Sequence, residues 1–198
     1  MKRPDRLVCV LVLLVLAGGA MPLFAANAQV VEPSQYTLGD QTLSISAGIF
    51  LPLFLLPTGT ALLAGNPPQL TVGGEAFLNW SAYVAPRIRI GAELGGAFSF
   101  DPNQNLFLML PIIAKASYVF TIYPFEIPVS FGIGMNILKY TDQYYVDLLL
   151  KPGASLFWIF NASWAFGLNL NYWFDMQMSS NFRIGNFLEI SLSALYHY

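Results

Sequence analysis

Nine ionisable side chains recur in an otherwise apolar chain: Glu75, Arg87, Arg89, Glu93, Lys115, Asp147, Lys151, Asp175 and Glu189. Carboxylates and cations spaced in this way can pair with one another and fill an interior, or line a polar conduit. The stretch 87–96, RIRIGAELGG, shows their setting. Ile88, Ile90, Ala92 and Leu94 alternate with Arg87, Arg89, Gly91 and Glu93. Alternation with period two marks a strand whose two faces meet different surroundings.

The elements that must position these charges are strands throughout. Of 198 residues, 56% are hydrophobic and only 10% are charged, against roughly 25% charged in an ordinary soluble domain. The two most apolar windows after the leader, 106–123 and 43–56, are interrupted by Pro111 with Lys115 and by Pro52. Neither supplies the roughly 20 apolar residues of a spanning helix. Period two persists over eight segments: 41–51, 69–84, 87–100, 106–122, 129–139, 145–160, 164–178 and 184–198. Short turns at 85–86, 123–128 and 161–163 alternate with longer connections. The pattern predicts an all-β fold, an eight-stranded antiparallel up-and-down transmembrane β-barrel.

The leader is a separate matter. Lys2, Arg3 and Arg6 precede an apolar run from Leu7 to Ala20, and Ala26-Asn27-Ala28 forms a small-x-small site. This is the layout of a cleaved signal peptide over residues 1–28, with the barrel over 29–198. Cys9 falls in the leader, so the mature chain carries no cysteine for disulfides, thiol chemistry or metal binding. It holds six basic and ten acidic residues, a net charge of about −4, which does not suit nucleic-acid binding.

Charge decides which face is outward. The nine charges share a parity opposite to the large apolar residues of their own segments. As a water-soluble exterior they would be sparse. The apolar face is also too bulky for the interior of eight strands. The apolar parity is therefore expected to face lipid and the polar parity the lumen. Trp80, Tyr118, Phe120, Trp158, Phe160, Trp164, Phe166, Tyr196 and Tyr198 fall on the outward parity near one end, as an interfacial girdle requires. An even strand count puts both mature termini on one side, expected to be the periplasm.

Two stretches sharpen the reading. The ending, IGNFLEISLSALYHY, carries Ile190, Leu192, Tyr196 and the final Tyr198 at alternate positions. The connection after the first segment, 52–68, is long and apolar, with Leu53, Phe54, Leu55, Leu56, Leu62 and Leu63 among Pro and Gly. Together with the leader and the eight alternating segments, these resemble small bacterial outer-membrane β-barrels, most nearly the OmpW/OprG type, including spirochaetal (treponemal) members. The resemblance implies a C-terminal signal read by the outer-membrane assembly machinery, with Tyr198 standing where Phe is commoner. It also implies passive uptake of small hydrophobic molecules, with the apolar loop as entry funnel. The alternative is a non-conducting structural or surface-contact barrel.

Enzymatic chemistry is not expected. His197 is the sole histidine. Pairing it with Ser191 or Ser193, as some outer-membrane lipid hydrolases pair Ser and His, would put the site at the wrong end of the barrel. No HExxH motif, nucleotide loop or cysteine cluster occurs, and the glycines of GIGMN (132–136) read as lumen-face spacers. No metal and no cofactor are expected. Pairing the third and fourth segments about Asn103 makes Lys115 a diagonal neighbour of Glu93. Pairing the sixth and seventh about Ala162 does the same for Lys151 and Asp175. Asp147 lies four residues from Lys151 on the same face. A charge-plugged lumen is the favoured reading over an open conduit.

Overall fold

The structure is a computed structural model and describes residues 36–57, 70–140, 143–178 and 183–198. The leader, and with it the cleavage site, lies outside the described residues. Eight strands follow in order: β1 (Gln41–Pro57), β2 (Gly73–Ala85), β3 (Ile88–Phe100), β4 (Leu106–Ile122), β5 (Phe125–Tyr140), β6 (Gln143–Ile159), β7 (Trp164–Gln177) and β8 (Arg183–His197). Each pairs antiparallel with the next, and β1 closes on β8. Closure leaves no sheet edge along most of the wall.

The strands are staggered. From Phe50, the register runs through Glu189, Asn171, Gly153, Ser130, Ser117 and Arg89 to Tyr83. Directly across the β1–β2 seam, Phe50 faces Gly73 instead. The offset of ten residues along β2 is the barrel's shear, the stagger that accompanies strand tilt. One end carries the start of β1 and the end of β8, where Gln41 N donates to Tyr198 O at 3.0 Å. It is called here the terminal end, and the other the far end.

Parity follows the alternation. Ile45, Ile90, Ile112, Phe131 and Leu168 stand exposed on the outside, while Glu93, Asn136, Lys151 and Glu189 are buried inside. The outward aromatics of the terminal end are all exposed, from Trp80 and Tyr118 to Trp158, Trp164 and Tyr198. Ile190, Leu192, Tyr196 and Tyr198 all lie on the outward parity of β8 or just beyond it, with Leu192, Tyr196 and Tyr198 exposed.

Three sequence expectations are corrected. First, β1 does not end at 51. It continues to Pro57 along β8, so the backbone of Leu53, Phe54, Leu55 and Leu56 is strand rather than loop. Leu62 and Leu63 lie outside the described residues. Pro52 lacks an N–H for the ladder, and the register shifts between Pro52 and Phe54 as a bulge. The bulge resets parity and turns Leu55 inward against the core. Second, β2 starts at Gly73, and residues just before it bind β3, Thr71 N donating to Phe100 O at 2.8 Å. Third, β5 starts at Phe125, within the expected turn, which makes Glu126 a buried strand residue.

Candidate functional site

The lumen is layered. Its far half is apolar: Phe50, Phe77, Phe107, Met109, Leu149, Trp173 and Phe187 are buried there on the inward parity. Phe50 packs edge-on against Trp173 at 5.1 Å and stacks on Phe187 at 4.8 Å, and Phe77 meets Trp173 at 5.5 Å. These rings form the bottom of a cup. Its walls are Leu55, Phe107, Leu138, Tyr140, Tyr145 and Phe187, with Asp147, Asp175 and Gln177 on one side. The sequence reading put only polar groups inside and missed this apolar half. Its signal was present, since Phe107, Met109, Trp173 and Phe187 break the polar parity of their own strands.

Below the rings lies an ionic floor. Lys151 Nζ, on β6, sits 2.5 Å from Glu93 Oε1 on β3 and 2.6 Å from Glu189 Oε2 on β8. Lys115 Nζ lies 2.9 Å from the other oxygen of Glu93. Lys151 is 1% exposed, and its ammonium also lies over the rings of Phe77 (4.0 Å) and Trp173 (4.7 Å). Trp173 Nε1 and Asn171 Nδ2 donate to Glu189 at 2.8 and 2.7 Å. A carboxylate removed from water needs such donors on both oxygens. Register explains how two lysines converge: Lys115, Gly132 and Lys151 are consecutive across β4, β5 and β6. Gly132 sits between them with no side chain, and a Cβ there would approach Ile113 Cγ2 to 2.7 Å.

Other expected members of the charge network are placed differently. Arg87 is not a lumen residue. It lies in the β2–β3 turn, exposed, and donates to Tyr118 Oη at 3.4 Å on the outer surface. The reason is that β3 begins only at Ile88, so Arg87 never enters the alternation. Lys151 does not take Asp175. In so narrow a barrel its long side chain reaches across to β3 and β8 rather than to its diagonal neighbour. Asp175 is buried in the far half with Asn136 Nδ2 at 3.3 Å, and Asp147 is buried in the same half. Glu75 is buried on the rung of Gly48 and Ser191.

Beneath the floor is a polar chamber lined by Ser81, Asn79, Arg89, Ser117, Ser130, Ser155 and Asn169. Its mouth at the terminal end is stoppered by a residue the sequence reading did not single out. Tyr36, just before β1, stacks on Tyr83 at 4.5 Å and on His197 at 5.0 Å. Its hydroxyl donates to Glu126, which is fully buried. Burial, and then the neighbouring Glu126 carboxylate, push the Tyr36 phenol well above its ordinary range. At the far end, Asp101 organises the β3–β4 turn, accepting from Asn103 N and Asn105 N at 2.8 Å each. The Asn105 side-chain amide, first among several donors, holds the Asp101 carboxyl below its usual range.

A protein-family model matches residues 24–196, nearly the whole chain. The same closed barrel recurs in solved structures. The Neisserial surface protein A superposes with a TM-score of 0.60 at 12% identity, covering 81% of this chain and 97% of that one. The chain has the fold of the small eight-stranded outer-membrane β-barrels. OprG from Pseudomonas aeruginosa superposes with a TM-score of 0.55 at 10% identity over 82% of this chain and 97% of that one. Ail of Yersinia pestis, solved with the heparin analogue sucrose octasulfate, gives 0.51 at 13% over 82% and 100%. Such low identities speak for the fold alone. By sequence, an uncharacterized protein of Treponema pallidum (strain Nichols) is 30% identical over 99 residues. That match spans 50% of this chain and 45% of the relative, about half of each.

Proposed function

We propose that this outer-membrane barrel passively admits small apolar molecules, which enter the cup at the far end and leave sideways into the membrane. The observation that carries the reading is where the wall loosens. Among the described residues, the ladder between β1 and β2 stops at Phe50–Gly73, while β1 runs on to Pro57 paired with β8. Phe50 is part of the ring layer at the bottom of the cup. A solute resting on that layer therefore lies beside the part of β1 that, among the described residues, pairs on one side. The ionic floor below it opposes passage straight down, since an apolar solute would have to displace paired charges.

In this reading the termini face the periplasm, the cup faces outward, and the C-terminal strand carries the assembly signal. Leu55, turned into the cup by the bulge, is the residue of the sequence-predicted funnel that contacts the path. The resemblance to the OmpW/OprG type points the same way. Uptake of a hydrophobic solute into proteoliposomes tests it. Leu55→Glu puts a charge on the cup wall and is expected to lower uptake at least several-fold without unfolding the barrel. Uptake by the wild type no faster than by empty liposomes would contradict the proposal and favour a surface-contact barrel.

A further inference from the structure

We infer that the polar chamber between the ionic floor and Tyr36 is a binding site for a small monovalent anion, held by Arg89. Arg89 is 6% exposed, and Nε and Nη1 of its guanidinium are both buried without an acceptor. The three ion pairs among the described residues all lie in the floor, and Arg89 is in none of them. The face of Tyr83 lies 5.7 Å from the guanidinium carbon. A ring face attracts the charge but offers nothing to the in-plane N–H groups.

A buried N–H donor without a protein partner calls for an explanation, and a water or an ion is one. The chamber supplies the rest of an anion's shell. Ser117 stands next to Arg89 across the β3–β4 ladder, and Ser130 next to Ser117 across β4–β5. Both line the chamber with Ser81 and Ser155. Hydroxyls turn freely and can donate to an anion where the guanidinium N–H groups do. Of the carboxylates around the chamber, Glu93 and Glu189 pair with the floor lysines, and Glu126 accepts from the Tyr36 hydroxyl through Oε1, its Oε2 being buried without a partner. None is within ion-pair distance of Arg89. A halide or a formate-sized carboxylate can accept from Arg89 and from the serine hydroxyls together. The stack of Tyr36, Tyr83 and His197 closes the mouth behind it.

The test is crystallographic. The full chain is refolded and crystallised in sodium bromide, so that entry through the stoppered mouth does not limit occupancy. An anomalous peak is expected at hydrogen-bonding distance from Arg89 Nε or Nη1, and it should vanish in Arg89→Gln prepared in the same way. The wild-type map decides by itself if the variant fails to fold. A water with no anomalous signal at Arg89, Arg89 closed directly onto Glu126, or bromide bound elsewhere only would each overturn the assignment.

Discussion

Lys151 and Glu93 meet across the barrel, Nζ to Oε1 at 2.5 Å, although they lie on β6 and β3. The pair joins opposite walls and shares Lys151 with Glu189. Lys151→Met would leave two buried carboxylates with a cation removed, at a cost of about 3–5 kcal/mol. Urea unfolding in lipid vesicles measures it. Adding Glu93→Gln should restore part of the loss, because one stranded charge is then gone. A Lys151→Met barrel as stable as wild type would show that the pair contributes nothing to stability.

Trp173 is the keystone of the ring layer. Trp173→Ala removes its contacts with Phe50 and Phe77 and its hydrogen bond to Glu189. The cost is about 3–5 kcal/mol, and the cup gains a gap facing the ionic floor. Ion leakage through planar bilayers is expected to rise above that of wild type. An unchanged trace from folded variant protein would mean the floor alone seals the barrel.

The β3–β4 turn carries a pH dependence of known sign. The folded-state pKa of Asp101 is depressed, so its contribution is present above about pH 4 and fades as the pH falls through the folded-state value. Amide protection at Asn103 and Asn105 should fall over that acid range, and should be low at every pH in Asp101→Ala. In the same turn Gln104 has a φ of 64°. Gln104→Gly should stabilise by about 0.5–1 kcal/mol, the left-handed cost being partly offset by glycine's unfolded-state entropy.

Tyr36 titrates in the opposite sense. Its folded-state pKa is raised, so its contact with Glu126 is fully present below about pH 10 and is lost only as the pH climbs beyond that. The tyrosinate absorbance of wild type minus Tyr36→Phe should be flat up to about pH 11, above the ordinary phenol pKa. A full tyrosinate signal near pH 10 would show that the phenol is not held in the mouth.

The architecture was legible because lipid and lumen select opposite residue types at every second position. The pairing about Asn103 could be read in the same way, since the short β3–β4 turn fixes register, and it places Gly91 opposite Lys115 and Glu93 opposite Ile113. Neighbour logic has a limit, however. It offered Lys151 Asp175 and Asp147 rather than Glu93 and Glu189, because contacts across a closed lumen join residues far apart in sequence and in strand order. The apolar half was hidden by treating inward as polar, when a narrow barrel fills whatever depth lacks charge pairs with rings such as Phe50 and Trp173. The end of β1 was hidden by Pro52, which reads as a stop but is accommodated by a bulge against β8. Arg87 was misplaced by a single residue of turn.

The central claim is a lumen sealed by the floor of Glu93, Lys115, Lys151 and Glu189, with traffic confined to the cup above it. Single-channel recording of the folded wild-type barrel in planar bilayers tests this most directly. The account predicts a flat trace without conductance steps. Regular ohmic steps from the wild-type protein would show a continuous aqueous path through the floor and would contradict it.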